Sequence, residues 1–102
     1  MAKRVSNNCL KIHTRQLKKA DYSLALDGAC MVRFMNRGQN YVYIDEQFIL
    51  DPGDAYVEGD INGPGIDHVY RIEFITNPTP PTPNAPIVYS GNHLEIRIQK
   101  RH

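Results

Sequence analysis

The chain has no tryptophan and only two cysteines in 102 residues, and it contains no hydrophobic run long enough for a membrane-spanning helix. Cys9 and Cys30 fit no metal-binding spacing and are too few for a disulfide scaffold. We interpret both as small buried side chains, and a Cys9–Cys30 disulfide is the alternative. The basic N-terminus is not followed by an apolar stretch, so we expect no secretory signal.

Motifs that carry catalysis are also missing. The sequence has no glycine-rich phosphate loop, no HExxH, no nucleophile elbow and no CxxC, and its four histidines are scattered. The loop from Asp60 to Asp67 offers oxygen donors, but Pro64 and Arg71 stand where a calcium loop of the EF-hand type needs other residues. We therefore expect a protein that is not an enzyme, with no metal site and no cofactor.

The charges of the chain are sorted into blocks. Residues 1–20 carry six basic side chains and no acid, residues 21–76 carry ten acids against three arginines, and the remainder is weakly basic. Such segregation indicates that a basic end meets an acidic surface, within one molecule or between neighbours. The predicted partner-binding residues of this basic N-terminal arm are Lys3, Arg4, Lys11, Arg15, Lys18 and Lys19.

Hydrophobic residues recur with a period of two, which is typical of half-buried strands. About eight short strands separated by turn sequences predict a single all-β domain over residues 1–102, either a β-sandwich (immunoglobulin-like or jelly-roll-like) or a partly open barrel. Turns are expected at Asp27-Gly28 and at Asp51–Asp54, and Thr14–Ala20 could form a short helix. The predicted strands are Cys9–His13, Asp21–Leu26, Cys30–Asn36, Tyr41–Asp45, Phe48–Leu50, Ala55–Glu58, His68–Thr76, Ile87–Ser90 and Leu94–Lys100.

Residues 77–86 form a proline-rich segment with five prolines. Proline fixes φ and removes a donor, so this segment is predicted to be a stiff, extended loop between strands. A partner with an aromatic groove could bind it, but we favour a rigid connection.

A second predicted contact patch lies in the strand around Arg33. Met31, Arg33 and Met35 alternate with the apolar face of that strand. If that face is the core, these three side chains point away from it, whereas in a two-sheet fold the two faces can be reversed. Adaptable thioethers beside an arginine suit a protein contact surface.

The stretch Val32–Asp60 resembles small β-sandwich virion proteins of tailed bacteriophages, in particular auxiliary or decoration proteins of the head, with crAss-like phages as one such group. The resemblance rests on an apolar strand ending in Asn36-Arg37-Gly38 and on the turn Leu50-Asp51-Pro52-Gly53-Asp54. It implies a non-enzymatic protein that is assembled in the host cytoplasm, occupies the virion in many copies and binds major capsid subunits or neighbouring copies.

Two other functions stay open at this point. The basic arm would suit a small nucleic-acid-binding β-barrel, although it holds no aromatic residue for stacking and the acidic body would repel a polyanion. A carbohydrate- or cation-binding module could instead use the loops Asn36–Asn40 and Asp60–Asp67.

Overall fold

The computed structural model describes residues 11–60, 62–76 and 91–100, and this part of the chain contains strands and no helix. The prediction of an all-β fold is confirmed. The strands are β1 (Lys11–Leu17), β2 (Asp21–Asn36), β3 (Tyr41–Ile44), β4 (Phe48–Leu50), β5 (Ala55–Gly59), β6 (Ile66–Ile75) and β7 (Leu94–Lys100).

All seven strands belong to one antiparallel sheet, with the order β1-β7-β2-β6-β3-β4 and with β5 also paired to β2. The long strand β2 divides this sheet into two layers. Its second half pairs with β7 on one side and β5 on the other, and we call β5, residues 29–36, β7 and β1 the front layer. Its first half pairs with β6, and we call residues 21–28, β6, β3 and β4 the back layer.

The sheet bends where β2 passes from one layer to the other. Gly28 has a φ of 78°, and the pairing register shifts between Asp27 and Ala29 with β6 and between Ala29 and Met31 with β7. A glycine with positive φ allows a bulge that bends a strand without ending it. The prediction of a turn at Asp27-Gly28 is therefore wrong. The predicted strands Asp21–Leu26 and Cys30–Asn36 are parts of one 16-residue strand.

The core lies between the two layers. Val32 and Phe34 of the front layer and Ile72 of the back layer are fully buried, and the ring of Phe34 meets that of Tyr70 at 5.1 Å between centroids. This packing confirms the period-two pattern, because side chains of a strand alternate between its two faces. The buried cluster comprises Leu24, Leu26, Ala29, Val32, Phe34, Val42, Ile44, Leu50, Tyr70, Ile72, Leu94, Ile96 and Ile98.

Asn36 is the one buried polar side chain among the described residues. Its amide nitrogen donates to the carbonyl oxygens of Asn40 at 2.8 Å and Leu50 at 2.9 Å, and its side-chain oxygen accepts from the Gly38 amide at 3.0 Å. Buried polar groups are stable only when they are satisfied in this way. The side chain thereby joins the end of β2 to the following loop and to β4.

The N-terminal strand differs from the prediction. It covers Lys11–Leu17 and pairs with β7 over all seven residues, so the predicted strand Cys9–His13 ends too early and Thr14–Ala20 forms no helix. Backbone pairing with β7 makes this segment a strand. Its side chains are mostly polar, so their pattern indicates neither the period of a helix nor that of a strand. The strand predicted at Ile87–Ser90 and the proline-rich segment lie outside the described residues.

Two glycines with positive φ provide a test of the packing beside β2. Gly59 (φ 95°) ends β5, and a Cβ atom added there would clash with the Cys30 carbonyl oxygen. A Cβ atom added at Gly53 (φ 90°) would meet no atom within 4 Å. Gly53→Ala should cost about 1–2 kcal/mol of unfolding free energy from backbone strain alone. Gly59→Ala should cost roughly 1–3 kcal/mol more, because the backbone must also move. Urea unfolding measures both, and equal losses would contradict the described approach of β5 to β2.

Candidate contact surface

The outward face of the front layer carries the predicted patch at its centre. Arg33 is paired with Val57 of β5 on one side and with Arg97 of β7 on the other. Met31 and Met35 lie on the same face of β2, and both are half-buried while Val32 and Phe34 are fully buried. Met31, Arg33 and Met35 thus point away from the core, which is the first of the two orientations that the sequence leaves open.

Two arginines stand side by side on this face. Arg33 and Arg97 are directly opposite each other in the β2–β7 ladder, and neither forms an ion pair with a carboxylate of the described residues. The Arg33 guanidinium contacts the Met35 sulfur at 3.4 Å. Like charges placed opposite each other destabilise a sheet. An anionic group on a partner would relieve that repulsion.

Glu95 lies on the same face but is already engaged. Its carboxylate accepts a hydrogen bond from the Arg37 side chain at 2.7 Å, and this contact with Arg37 lowers the pKa of Glu95 from its ordinary value. The charge of Glu95 is thus directed first toward Arg37.

The predicted basic arm is partly described. Lys11 and Arg15 lie on β1, and Lys18 and Lys19 follow that strand; all four are exposed. None of them forms an ion pair with a carboxylate in the described part of the chain. Lys3 and Arg4 lie outside the described residues. The structure thus brings four of the six predicted cations to one edge of the front layer.

An open cavity of about 380 Å³ lies on the core side of this edge. Three consecutive residues of β1 contribute to its wall, and the ladder places His13 opposite Ile98 of β7. Three basic side chains and no acid contribute to its wall. The lining residues are His13, Thr14, Arg15, Ala25, Leu26, Ile98 and Lys100.

The opposite edge of the front layer is acidic. It is formed by β5, which has Asp54 before it, Glu58 within it and Asp60 after it, all exposed. Glu58 accepts a hydrogen bond from the hydroxyl of Tyr70 at 2.6 Å. Among the described residues none of these acids is paired with a cation. Sequence reasoning found the acidic segment but not that it forms the edge opposite β1.

Sequence reasoning also missed a polar cluster beside this edge. Asp45 contacts the His68 ring nitrogen at 2.8 Å and accepts the Arg71 amide at 2.8 Å. Asp45 and Glu46 have positive φ values of 54° and 57°, which are uncommon for residues other than glycine. The Asp45 carboxylate thus holds the β3–β4 turn against β6. The sequence predicts a strand over Tyr41–Asp45, whereas β3 ends at Ile44. The adjacent acidic residues Asp45 and Glu46 are the one turn signal that the sequence offers there.

The two loops proposed for ligand binding use much of their polarity in hydrogen bonds to other groups of the protein. In the first, Asn36 bonds as described above, and Asn40 donates to Asn92 at 2.7 Å. In the second, Asp60 accepts the Asn62 amide at 2.9 Å, and Asp67 accepts the Gly28 amide at 3.2 Å. The Asp60 side chain thus bonds its own turn, as is common for Asp in turns, whereas Asn40 and Asp67 tie their loops to other segments.

The described residues provide no cluster of three or more histidine, cysteine, aspartate or glutamate side chains that could hold a metal ion. Cys30 is a buried thiol that donates to the Gln99 carbonyl oxygen at 3.2 Å. The small buried role predicted for Cys30 is confirmed, and Cys9 lies outside the described residues. Within the described ranges no helix suited to crossing a membrane is found.

Comparison with known proteins adds no relative. No family model, no curated protein and no solved structure matches this chain.

The contact between Tyr70 and Glu58 predicts an alkaline loss of stability. Burial first, and then the hydrogen bond to Glu58, raise the pKa of Tyr70 above its ordinary value of 10.0. A raised pKa stabilises the folded state fully below the unfolded pKa, and this contribution is lost as pH rises above about 10. The unfolding free energy should therefore fall less steeply between about pH 9 and 11 in Tyr70→Phe than in the wild type.

Glu58→Gln separates the two causes. It removes the carboxylate charge and keeps an acceptor, so the pKa of Tyr70 should fall toward 10.0 but stay above it, because burial is the larger cause. Titration of tyrosinate absorbance together with urea unfolding measures both effects. A wild-type curve that matches Tyr70→Phe throughout would contradict the assigned environment of Tyr70.

Proposed function

We propose that this chain is a non-enzymatic structural protein that works in many copies within a larger particle, as an auxiliary capsid protein of a phage head. The observation that carries the proposal is the basic edge strand β1, whose Lys11 and Arg15 are exposed and form no ion pair with a described carboxylate. Cations without an internal role at an open sheet edge suit an acidic partner surface. The resemblance of Val32–Asp60 to virion proteins is the reason for proposing a phage head as that particle.

The mechanism is electrostatic docking repeated over many copies. Charge complementarity sets the rate and register of encounter more than the affinity of one contact. Backbone groups at the strand edge and the thioethers of Met31 and Met35 add short-range contact. Because each copy contributes modestly, the strength of the assembly comes from avidity.

Sedimentation of the protein from its native source tests the proposal. A structural role predicts that the chain co-sediments with a fast particle at a high and fixed copy number. The same chain at the top of the gradient, as a small species in every fraction, would overturn the assembly function.

Variants at the edge test the mechanism. Replacing Lys11, Arg15, Lys18 and Lys19 with Ser should lower incorporation into the particle at least about tenfold, since the steering charge is lost. The fold should be unchanged, because all four side chains are exposed.

A matched pair of variants separates edge from face. Lys11→Ser with Arg15→Ser and Arg33→Ser with Arg97→Ser remove the same charge from the two surfaces. A larger loss for the first pair supports docking through β1, and a larger loss for the second assigns the contact to the outward face of the front layer. Full incorporation of both would contradict the electrostatic mechanism.

A second candidate is a nucleic-acid-binding module, favoured by the adjacent Arg33 and Arg97 and by the basic cavity. Phosphates would neutralise these cations and release counterions, so affinity should fall steeply with salt. The acidic edge at β5 opposes this function. Titration of the protein into labelled single-stranded and duplex nucleic acid at low and high salt tests this function. Absence of binding at low salt removes this candidate.

A further inference from the structure

The front layer has two edges, and each is open on one side. In the described part of the chain, β1 pairs only with β7, and β5 pairs only with β2. Edge strands present unpaired backbone groups that can accept another strand. An additional strand could therefore join this layer at either side.

The two edges carry opposite charge on the same face. In β1, Lys11, His13 and Arg15 point to the core side of the sheet, as shown by their pairing with β7. In β5, Tyr56 and Glu58 point to the same side, since they pair with Phe34 and Val32.

The outward sides of the two edges are uncharged. Ile12 and Val57 are 50% and 47% exposed. They lie on the outward face in the ladders that pair β1 and β5 with the rest of the layer.

Strand direction permits the two edges to meet between copies. Every neighbouring pair in the front layer is antiparallel, so β1 and β5 run in opposite directions. A second copy in the same orientation brings its β5 beside β1 as an antiparallel neighbour. The sheet then continues from one molecule to the next with its inner and outer faces preserved.

One register between β1 and β5 pairs opposite charges on the core side and apolar side chains on the outer side. When Ile12 lies opposite Val57, Lys11 lies opposite Glu58, His13 opposite Tyr56 and Arg15 opposite Asp54. This register would bring Lys11 to Glu58 and Arg15 to Asp54, whose carboxylates also accept hydrogen bonds from the Tyr70 hydroxyl and the Asp51 amide. It would also join two exposed apolar side chains on the outer side. A slip of one residue would place charged side chains of one edge against the uncharged face of the other.

We propose that copies of this chain associate head to tail through β1 of one copy and β5 of the next, in the register that pairs Lys11 with Glu58 and Arg15 with Asp54. The contact is heterologous, so each copy keeps one edge for a further copy, and a row or a ring results. This inference rests on the proposed structural function and names a second copy of the chain as the acidic partner.

Charge-reversal variants of the purified full chain test the contact. Lys11→Glu with Arg15→Glu and, separately, Asp54→Lys with Glu58→Lys should each weaken self-association by at least about tenfold in sedimentation velocity, because like charges then face each other. An equimolar mixture of the two variants should restore it, since each reversed edge meets a complementary one. Arg33→Glu with Arg97→Glu, which changes the charge equally on the outward face, should leave self-association unchanged.

Cross-linking tests the register without altering Glu58. A chain with Ile12→Cys, Val57→Cys and Cys9→Ser should form a ladder of disulfide-linked oligomers under mild oxidation, because cross-strand partners lie within disulfide range. Thr14→Cys with Val57→Cys in the same background is the matched control: it should still self-associate but should form no disulfide-linked ladder, because these two positions are not opposite each other in the proposed register. Both substituted positions of the first pair are exposed, so folding should be retained.

The outcomes separate this inference from the proposed function. A wild-type chain that stays monomeric at all concentrations and salt levels, with no ladder from the first cysteine pair, overturns the head-to-tail contact even if the chain co-sediments with its particle. A ladder from the control pair alone overturns the register. Self-association of a chain that is absent from every particle retains the contact and rejects the proposed function.

Discussion

The structure depends on one strand that belongs to both layers. β2 is 16 residues long, and the bulge at Gly28 lets its first half pair with β6 while its second half pairs with β7 and β5. Without the bend, the apolar residues of the two halves could not face each other. The core, the two open edges and the outward face of the front layer all take their positions from this strand.

The bend is fixed at the far end of β2 by polar contacts that apolar packing does not supply. The buried side chain of Asn36 forms three hydrogen bonds. Its backbone amide also donates to the Asp54 carbonyl oxygen at 2.9 Å. Since an unsatisfied polar group in the core would be costly, this side chain restricts how the loop, β4 and the turn before β5 can pack. The acidic edge is thus placed by the same residues that terminate β2.

The front layer is polar across its strands, because its β1 edge is basic and its β5 edge is acidic. Charged side chains are one way in which proteins protect open edges, and Lys11 and Arg15 on β1 would repel a strand of like charge. Here the other edge carries Glu58 on the same side as these two cations, with Asp54 just before β5. The same charges therefore oppose contacts between two β1 edges and favour contacts between β1 and β5, so specificity comes from repulsion as well as attraction.

The sequence by itself determined the all-β class, most strand positions from Asp21 onward, the alternation of Met31, Arg33 and Met35 with an apolar face, and the existence of basic and acidic blocks. These follow from side-chain alternation and composition, which are local properties. Only the tertiary structure decided that Asp27-Gly28 is a bend, that β1 extends to Leu17, and that the acidic block becomes the edge opposite β1. Each of these depends on which strand lies beside which, and that pairing is fixed by contacts between residues far apart in the chain.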